Sequence, residues 1–172
     1  MKFIKTKFNN LIIVKGKKYK DNRGAFREIL REKLIKKKFN FQITSVSKKN
    51  VIRGLHFQKI NPQGKYVSVL KGKIIDICVD LRKDSKTFGK YFKLIMSEKN
   101  CLSIFIPPGF AHGFAAIDKE NIVIYSCTNY RHKNSECGII WNDKDLNINW
   151  GIKNPIISNK DKKNKKFKFF FK

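Results

Sequence analysis

The stretch V-I-R-G-L-H-F-Q, Val51 to Gln58, poses the question on which the fold turns. Its Val, Ile, Leu and Phe mark a buried strand. Yet it also holds an Arg, a Gly and one of only three histidines in the chain. Simple alternation puts Ile52, Gly54, His56 and Gln58 on one face, and Val51, Arg53, Leu55 and Phe57 on the other. A flat strand would therefore part Arg53 from His56. A glycine between them is what a bulge uses to re-aim one side chain. An arginine inside a sheet is costly unless it meets an anion. The stretch thus predicts a core strand bent at Gly54, whose His56 is either structural or catalytic.

Working outward, short β-prone runs recur along the chain with turn signals between them. They are Phe3–Phe8, Leu11–Val14, Ala25–Leu30, Phe39–Ser45, Val51–Phe57, Tyr66–Leu70, Ile74–Leu81, Tyr91–Met96, Leu102–Ile106, His112–Ile117 and Ile122–Thr128. Lys71-Gly72-Lys73 between two of them is a hairpin signal. Regular spacing of this kind predicts an all-β antiparallel sandwich or jelly roll. Helix is scarce, with Glu28–Lys38 the one segment suited to a short stretch. The 172 residues suffice for one domain with one core, and no repeat or linker divides them. The last eleven residues, 162–172, read KKNKKFKFFFK and change character. They predict a basic, Phe-rich tail that is disordered, pairs with a partner, or touches a membrane surface weakly.

The net charge is +26, but only six of the 39 basic residues are arginine. Proteins that read phosphates and bases favour arginine forks with exposed aromatics, whereas the aromatics here lie inside apolar runs. The composition therefore argues against nucleic-acid binding as the main function, while the positive field still favours an anionic small substrate. Cys78, Cys101, Cys127 and Cys137 form no C-x-x-C pair and sit in or beside apolar runs. They read as free thiols of a reducing cytoplasm. The longest apolar run near the N-terminus is Leu11–Val14, too short for a signal sequence or a membrane span.

A second cluster, I-P-P-G-F-A-H-G-F (Ile106–Phe114), brackets His112 with prolines and glycines. It is either a barrel-rim turn with a structural His or a loop that brings His112 near His56. A metal site is not expected. The position two residues beyond His56 that would carry a second His is Gln58, and two His with a Gln make a poor site for zinc or iron. Chemistry without a metal needs a base, an acid and a cation. His56 can serve as the base, Tyr125 as the acid and Lys65 as the cation. Each also has an ordinary structural explanation that composition alone does not displace.

Several strings together resemble one family. They are D-N-R-G-A-F-R-E (Asp21–Glu28), S-K-K-N-V-I-R-G-L-H-F-Q (Ser47–Gln58), P-Q-G-K-Y-V (Pro62–Val67), D-I-C-V-D-L-R-K-D-S-K-T-F-G-K (Asp76–Lys90), the Ile106–Phe114 cluster and W-N-D-K-D-L-N-I-N-W (Trp141–Trp150). In order and spacing they are similar to the dTDP-4-dehydrorhamnose 3,5-epimerases of the cupin superfamily, over residues 3–161. The resemblance implies a cupin-type jelly-roll barrel for 1–161 with few short helices, followed by the 162–172 tail. It implies a cytoplasmic homodimer, no cofactor and no metal. It also implies an isomerase that converts dTDP-4-keto-6-deoxy-D-glucose to dTDP-4-keto-L-rhamnose in dTDP-L-rhamnose biosynthesis. Alternatives on the same scaffold are a C3-only or C5-only epimerase and a non-catalytic sugar-nucleotide-binding cupin.

Carried over by motif, His56 is the base, Asp161 orients it, Tyr125 is the opposing acid and Lys65 stabilises the enolate oxygen. Arg23 and Arg53 meet the diphosphate or sugar. Tyr19, Glu28 and Gln42 fall near the nucleotide, and His112 and Tyr130 line the sugar pocket. The sequence departs from the family pattern in three places. The stretch after Gln42 is one residue short, Arg131 replaces a second aromatic after Tyr130, and Gly151 replaces a proline after Trp150.

Overall fold

A computed structural model of the chain describes residues 1–171. Fourteen strands account for most of the regular structure: β1 (Lys2–Lys5), β2 (Ile12–Lys15), β3 (Lys18–Asp21), β4 (Gly24–Arg27), β5 (Phe41–Lys48), β6 (Val51–Gln58), β7 (Lys65–Lys71), β8 (Lys73–Asp80), β9 (Tyr91–Ser97), β10 (Leu102–Ile106), β11 (Phe110–Ala116), β12 (Glu120–Cys127), β13 (Glu136–Gly138) and β14 (Ile156–Ile157). The helices are single turns: α1 (Glu32–Ile35), α2 (Asn159–Lys162) and α3 (Phe167–Phe170). All eleven predicted runs carry a strand. The exposed strand β3, rich in lysine, and the short β13 and β14 lack the apolar pattern that would announce them. Within Glu28–Lys38 only α1 is helical, and Lys36 ends it in the left-handed conformation.

Two sheets face one another as a jelly roll. One has the order β1-β2-β10-β7-β12-β5 and the other β13-β6-β11-β8-β9. β14 adds to β6 in parallel, and β3 and β4 form a separate hairpin. β8 shows why the second sheet must be covered twice. Ile74 and Cys78 point into the core between the sheets with Val67, Ile104 and Phe114. Ile75, Ile77 and Val79 point the other way, into a second core with Leu55, Ile139 and Trp150. A strand apolar on both faces needs a layer on each. The outer layer is the chain after β12, held in part by the Trp150 indole, which donates to the Trp141 carbonyl at 2.7 Å.

The C-terminal segment packs on that layer instead of trailing free. Phe170 meets Phe57 edge to face at 5.1 Å, and Phe167 packs on Phe88. The Phe167 amide donates to Asp143 at 2.8 Å. Four phenylalanines in a basic string look like low complexity, but three of them fill a hydrophobic surface that the outer face of the sheet leaves open. Lys172 lies outside the described residues. No helix among the described residues is long and apolar enough to cross a membrane.

The bend in β6 falls where the glycine predicts it. His56 pairs with His112 and Arg53 with Phe114, so the register slips by one residue between them. Gly54 has φ of 122°, and a Cβ there would lie 2.6 Å from the Gly113 Cα. Glycine is required on both grounds.

The turn after β8 holds a fully buried carboxylate. Asp80 accepts from the Arg82 guanidinium at 2.7 and 2.8 Å, and from the Ser85 and Thr87 hydroxyls at 2.6 Å each. Burial alone would raise its pKa, but these bonds outweigh burial and hold it at about 2. A folded-state pKa below the unfolded value near 3.8 gives stability that is present above pH 4 and lost as pH falls toward 2. In urea unfolding, Asp80→Asn should therefore lower the midpoint at pH 7, and its deficit relative to the parent should shrink toward pH 2. A deficit independent of pH would show that the carboxylate charge is not what stabilises the turn.

Candidate active site

Between the sheets lies a cavity of about 720 Å³ that contains Arg53, His56, Lys65, Tyr125 and Asp161 in its walls. The sheets divide these groups. His56 stands on β6 of the second sheet. Lys65 on β7 pairs across the first sheet with Cys127 on β12, two residues from Tyr125. Cross-strand partners share a face, as do residues two apart, so Lys65 and Tyr125 approach the cavity from the wall opposite His56.

His56 Nε2 lies 2.6 Å from Asp161 Oδ1. The sequence separates the two by 105 residues, and α2 brings them together. Ser158 caps that turn by accepting from the Asp161 amide at 3.1 Å. The bend at Gly54 frees its N–H to donate to Asp161 Oδ2 at 3.3 Å. Asn164 donates to Oδ1 at 3.4 Å and occupies the space a side chain on Gly138 would need. Burial would raise the Asp161 carboxyl, but the His56 contact, helped by Gly54 and Ser158, holds it below the usual range. The group is thus a fixed anion that orients the ring, as in other His–carboxylate pairs. Asn164 has no counterpart among the sequence-level candidates, because an Asn in a lysine-rich string carries no signal.

Burial pushes the Tyr125 hydroxyl well above its ordinary pKa, against a weaker opposing effect from Ser45, whose Oγ is 3.3 Å away. It is a phenol that keeps its proton until a strong base forms beside it. Burial pushes the Lys65 amine down, partly offset by the acidic groups around it, Cys127 first among them. Arg53 is held by Ser47 Oγ at 2.9 Å and the Val46 carbonyl at 3.0 Å, which directs a guanidinium to the cavity wall.

The remaining candidates lie elsewhere. His112 is buried behind the wall, 2.7 Å from Asp76 through Nε2, with its ring edge to face with Tyr125 at 6.1 Å. It supports Tyr125 and does not line the cavity. Gln42 is bonded to Ser126 Oγ at 2.9 Å. Tyr130 is exposed and stacked on Phe41 at 5.3 Å. Tyr19 and Arg23 belong to the β3–β4 hairpin and Glu28 follows it; Arg23 pairs with Asp21 and Glu28 with Arg31, each at 2.7 Å. None of these six lines the cavity of the single chain.

Two features escape sequence reading. Glu136 lies in the cavity wall with Arg131 and Lys160, 2.7 and 2.6 Å from them. Burial would raise Glu136, but these cations outweigh it and hold the carboxyl at about 2. Arg131, a departure from the family pattern, is thus tied to an acid. Asp76, Cys78 and His112 bring ligand-type atoms within 4.8 Å of one another. The Asp76 carboxylate is already engaged by His112 and by the Cys78 thiol at 3.4 Å, and the group lies in the core and not at the cavity.

Comparison with known proteins gives a consistent result. The family described as dTDP-4-dehydrorhamnose 3,5-epimerase matches residues 5–168. The curated protein of that name from Methanothermobacter thermautotrophicus is 42% identical, over 94% of this chain and 91% of its own. That from Shigella flexneri is 38% identical over 97% and 96%. Among solved structures, the Legionella pneumophila enzyme in complex with dTDP-4-keto-L-rhamnose superposes with a TM-score of 0.91 at 38% identity, covering 96% of this chain and 92% of that one. The Bacillus anthracis enzyme with TDP and PPi bound gives 0.92 at 36%, covering 96% and 99%.

Proposed function

The chain belongs to the dTDP-4-dehydrorhamnose 3,5-epimerase family, and from that premise we propose how its own residues carry out the reaction. The activity is isomerisation of dTDP-4-keto-6-deoxy-D-glucose to dTDP-4-keto-L-rhamnose, on the route to dTDP-rhamnose. One observation carries the residue assignment: His56 is locked to Asp161 at 2.6 Å on one wall of a cavity whose other wall holds Lys65 and Tyr125.

C3 and C5 both flank the C4 ketone, so loss of either proton leaves an enolate with its charge on the ketone oxygen. His56 takes the proton from one face. The Lys65 ammonium stabilises the developing oxyanion. Tyr125 delivers its hydroxyl proton to the other face of the same carbon, which inverts it. His56 then releases its proton, Tyr125 regains one, and the cycle repeats at the second carbon. Asp161 holds the imidazole in one tautomer throughout. Arg53 faces the anionic part of the substrate.

Proton NMR in D₂O with dTDP-4-keto-6-deoxy-D-glucose tests this directly. Deuterium should enter at both C3 and C5, with the L-lyxo product trapped by a reductase. Label at one carbon only would make the protein a single-centre epimerase. Tyr125→Phe separates the two half-reactions: solvent exchange by His56 should persist while formation of inverted product falls by about 10²-fold or more. Equal loss of both would remove Tyr125 from the role of acid.

A homodimer accounts for the hairpin. Tyr19 and Phe26 on the β3–β4 hairpin and Ile43 and Val46 on the edge strand β5 are exposed apolar groups at 54%, 71%, 49% and 60%. A second copy that covers them would let one copy's Tyr19, Arg23 and Glu28 complete its partner's nucleotide site, with Gln42 and Tyr130 at the mouth. Phe26→Glu should yield monomers by sedimentation with weakened substrate binding. The cysteines, all free, suit a cytoplasmic protein, and the positive field suits an anionic nucleotide sugar.

A further inference from the structure

A second cavity, of about 250 Å³, opens behind Lys65. Its apolar wall is Phe57, Leu81, Phe110, Phe170 and Phe171, so the C-terminal segment supplies two of these five side chains. An apolar cavity of about 150 Å³ already holds a benzene ring. Its polar wall is Gln58, Gln63, Lys59 and Lys65. The Gln58 amide is fully engaged, and the Gln63 amide is tied by one bond. Gln58 donates to the Asn61 and Tyr130 carbonyls at 2.7 and 3.3 Å and accepts from the His132 N–H at 2.8 Å. Gln63 donates to the Asn129 carbonyl at 2.8 Å. The two lysines are not committed in this way. Lys59 Nζ sits 5.1 Å over the Phe170 ring, and neither ammonium group forms a hydrogen bond or ion pair among the described residues. Lys65 and Gln63 also line the catalytic cavity, so these two side chains stand between the two spaces.

From this arrangement we propose that the rear cavity is a binding site for a small monocarboxylate with an aromatic or compact aliphatic body, and that its occupant withdraws the Lys65 ammonium from the catalytic cavity. The aromatic walls take the apolar body. The ammonium groups are the charged donors without a partner, and they select an anion over a neutral polar molecule. A dianion would leave charge against the phenylalanines, which is costly. Burial already disfavours the Lys65 charge, and a carboxylate beside it restores that charge. The functional consequence rests on the assignment of Lys65 above. The occupant should lower kcat with little change in KM, because it removes oxyanion stabilisation and not substrate contacts.

The test uses 4-fluorobenzoate and the full-length protein, with binding followed by fluorine NMR and calorimetry. Saturable binding should persist when dTDP saturates the nucleotide site. It should weaken by about tenfold or more in Lys65→Met, the loss of a charge-assisted hydrogen bond. It should also weaken in Phe171→Ala, which opens the wall at the chain end, outside the catalytic cavity, and should leave epimerisation without the probe unchanged. Absence of saturable binding, or displacement of the probe in step with dTDP occupancy, would overturn the proposal. These outcomes are separable from the assignment of Lys65 to catalysis. If Lys65→Met abolishes turnover but the parent binds no probe, only the rear site fails. If Lys65→Met loses the probe but turns over normally, only the catalytic role fails.

Discussion

His56→Ala lowers kcat by about 10³-fold while dTDP binding stays intact. The figure is the middle of what a positioned general base supplies, and the geometry makes His56 hard to replace. Its ring is fixed by a buried carboxylate at 2.6 Å, and no other imidazole lines the cavity. His112, its cross-strand partner, is committed to Asp76 on the far side of the wall. The variant should lose deuterium incorporation at C3 and C5 together, since one base serves both carbons. The measurement is solvent exchange by NMR beside a dTDP titration. Retention of exchange at one carbon would mean that two different bases act and that His56 is only one of them. Asp161→Asn should show a smaller loss, because the base remains but its tautomer is no longer enforced.

Lys65→Met lowers kcat by about 10²-fold or more, the scale seen when one preorganised group at an oxyanion is removed. The methionine keeps the length and apolar body of the side chain, so the cavity wall and the barrel should persist. The effect is large because the site is shielded. A cation held against Cys127, Phe57 and Phe110 interacts with developing charge through little water. Steady-state kinetics should show the loss in kcat with KM nearly constant. A rise in KM at constant kcat would instead make Lys65 a ground-state contact for the substrate and leave the enolate to another group.

The pairs that form the site show how much could be read in advance. Val51–Gln58 announced its strand by composition and its bend by Gly54, and both are local properties. Lys65, Tyr125 and Arg53 were visible as polar groups in or beside apolar strands. His112 was visible too, but its partner was not. Its proximity to Asp76 depends on the pairing of β11 with β8, and no spacing along the chain encodes that. The same holds for Glu136 between Arg131 and Lys160, and for Asn164 against Gly138.

The tail makes the contrast sharpest. By composition KKNKKFKFFFK is a basic, low-complexity string, which reads equally as a disordered tail, a segment that pairs with a partner, or a weak membrane contact. It folds because the outer face of β6 and β8 offers Phe57 and its neighbours as a surface to cover.

The sequence by itself determined the all-β class, the positions of the long strands, the bulge in β6 and, through ordered motifs, the family. These depend on alternation, turn residues and backbone freedom, which act over a few residues. Only the tertiary structure decided which charges meet, that five of eleven candidate residues share one cavity, and that a second cavity lies behind Lys65. Those outcomes depend on strand order and on the chain closing over its own sheet. The energy that drives closure is the burial of apolar area contributed by residues far apart in the chain, and such burial is non-directional until the topology assigns it partners.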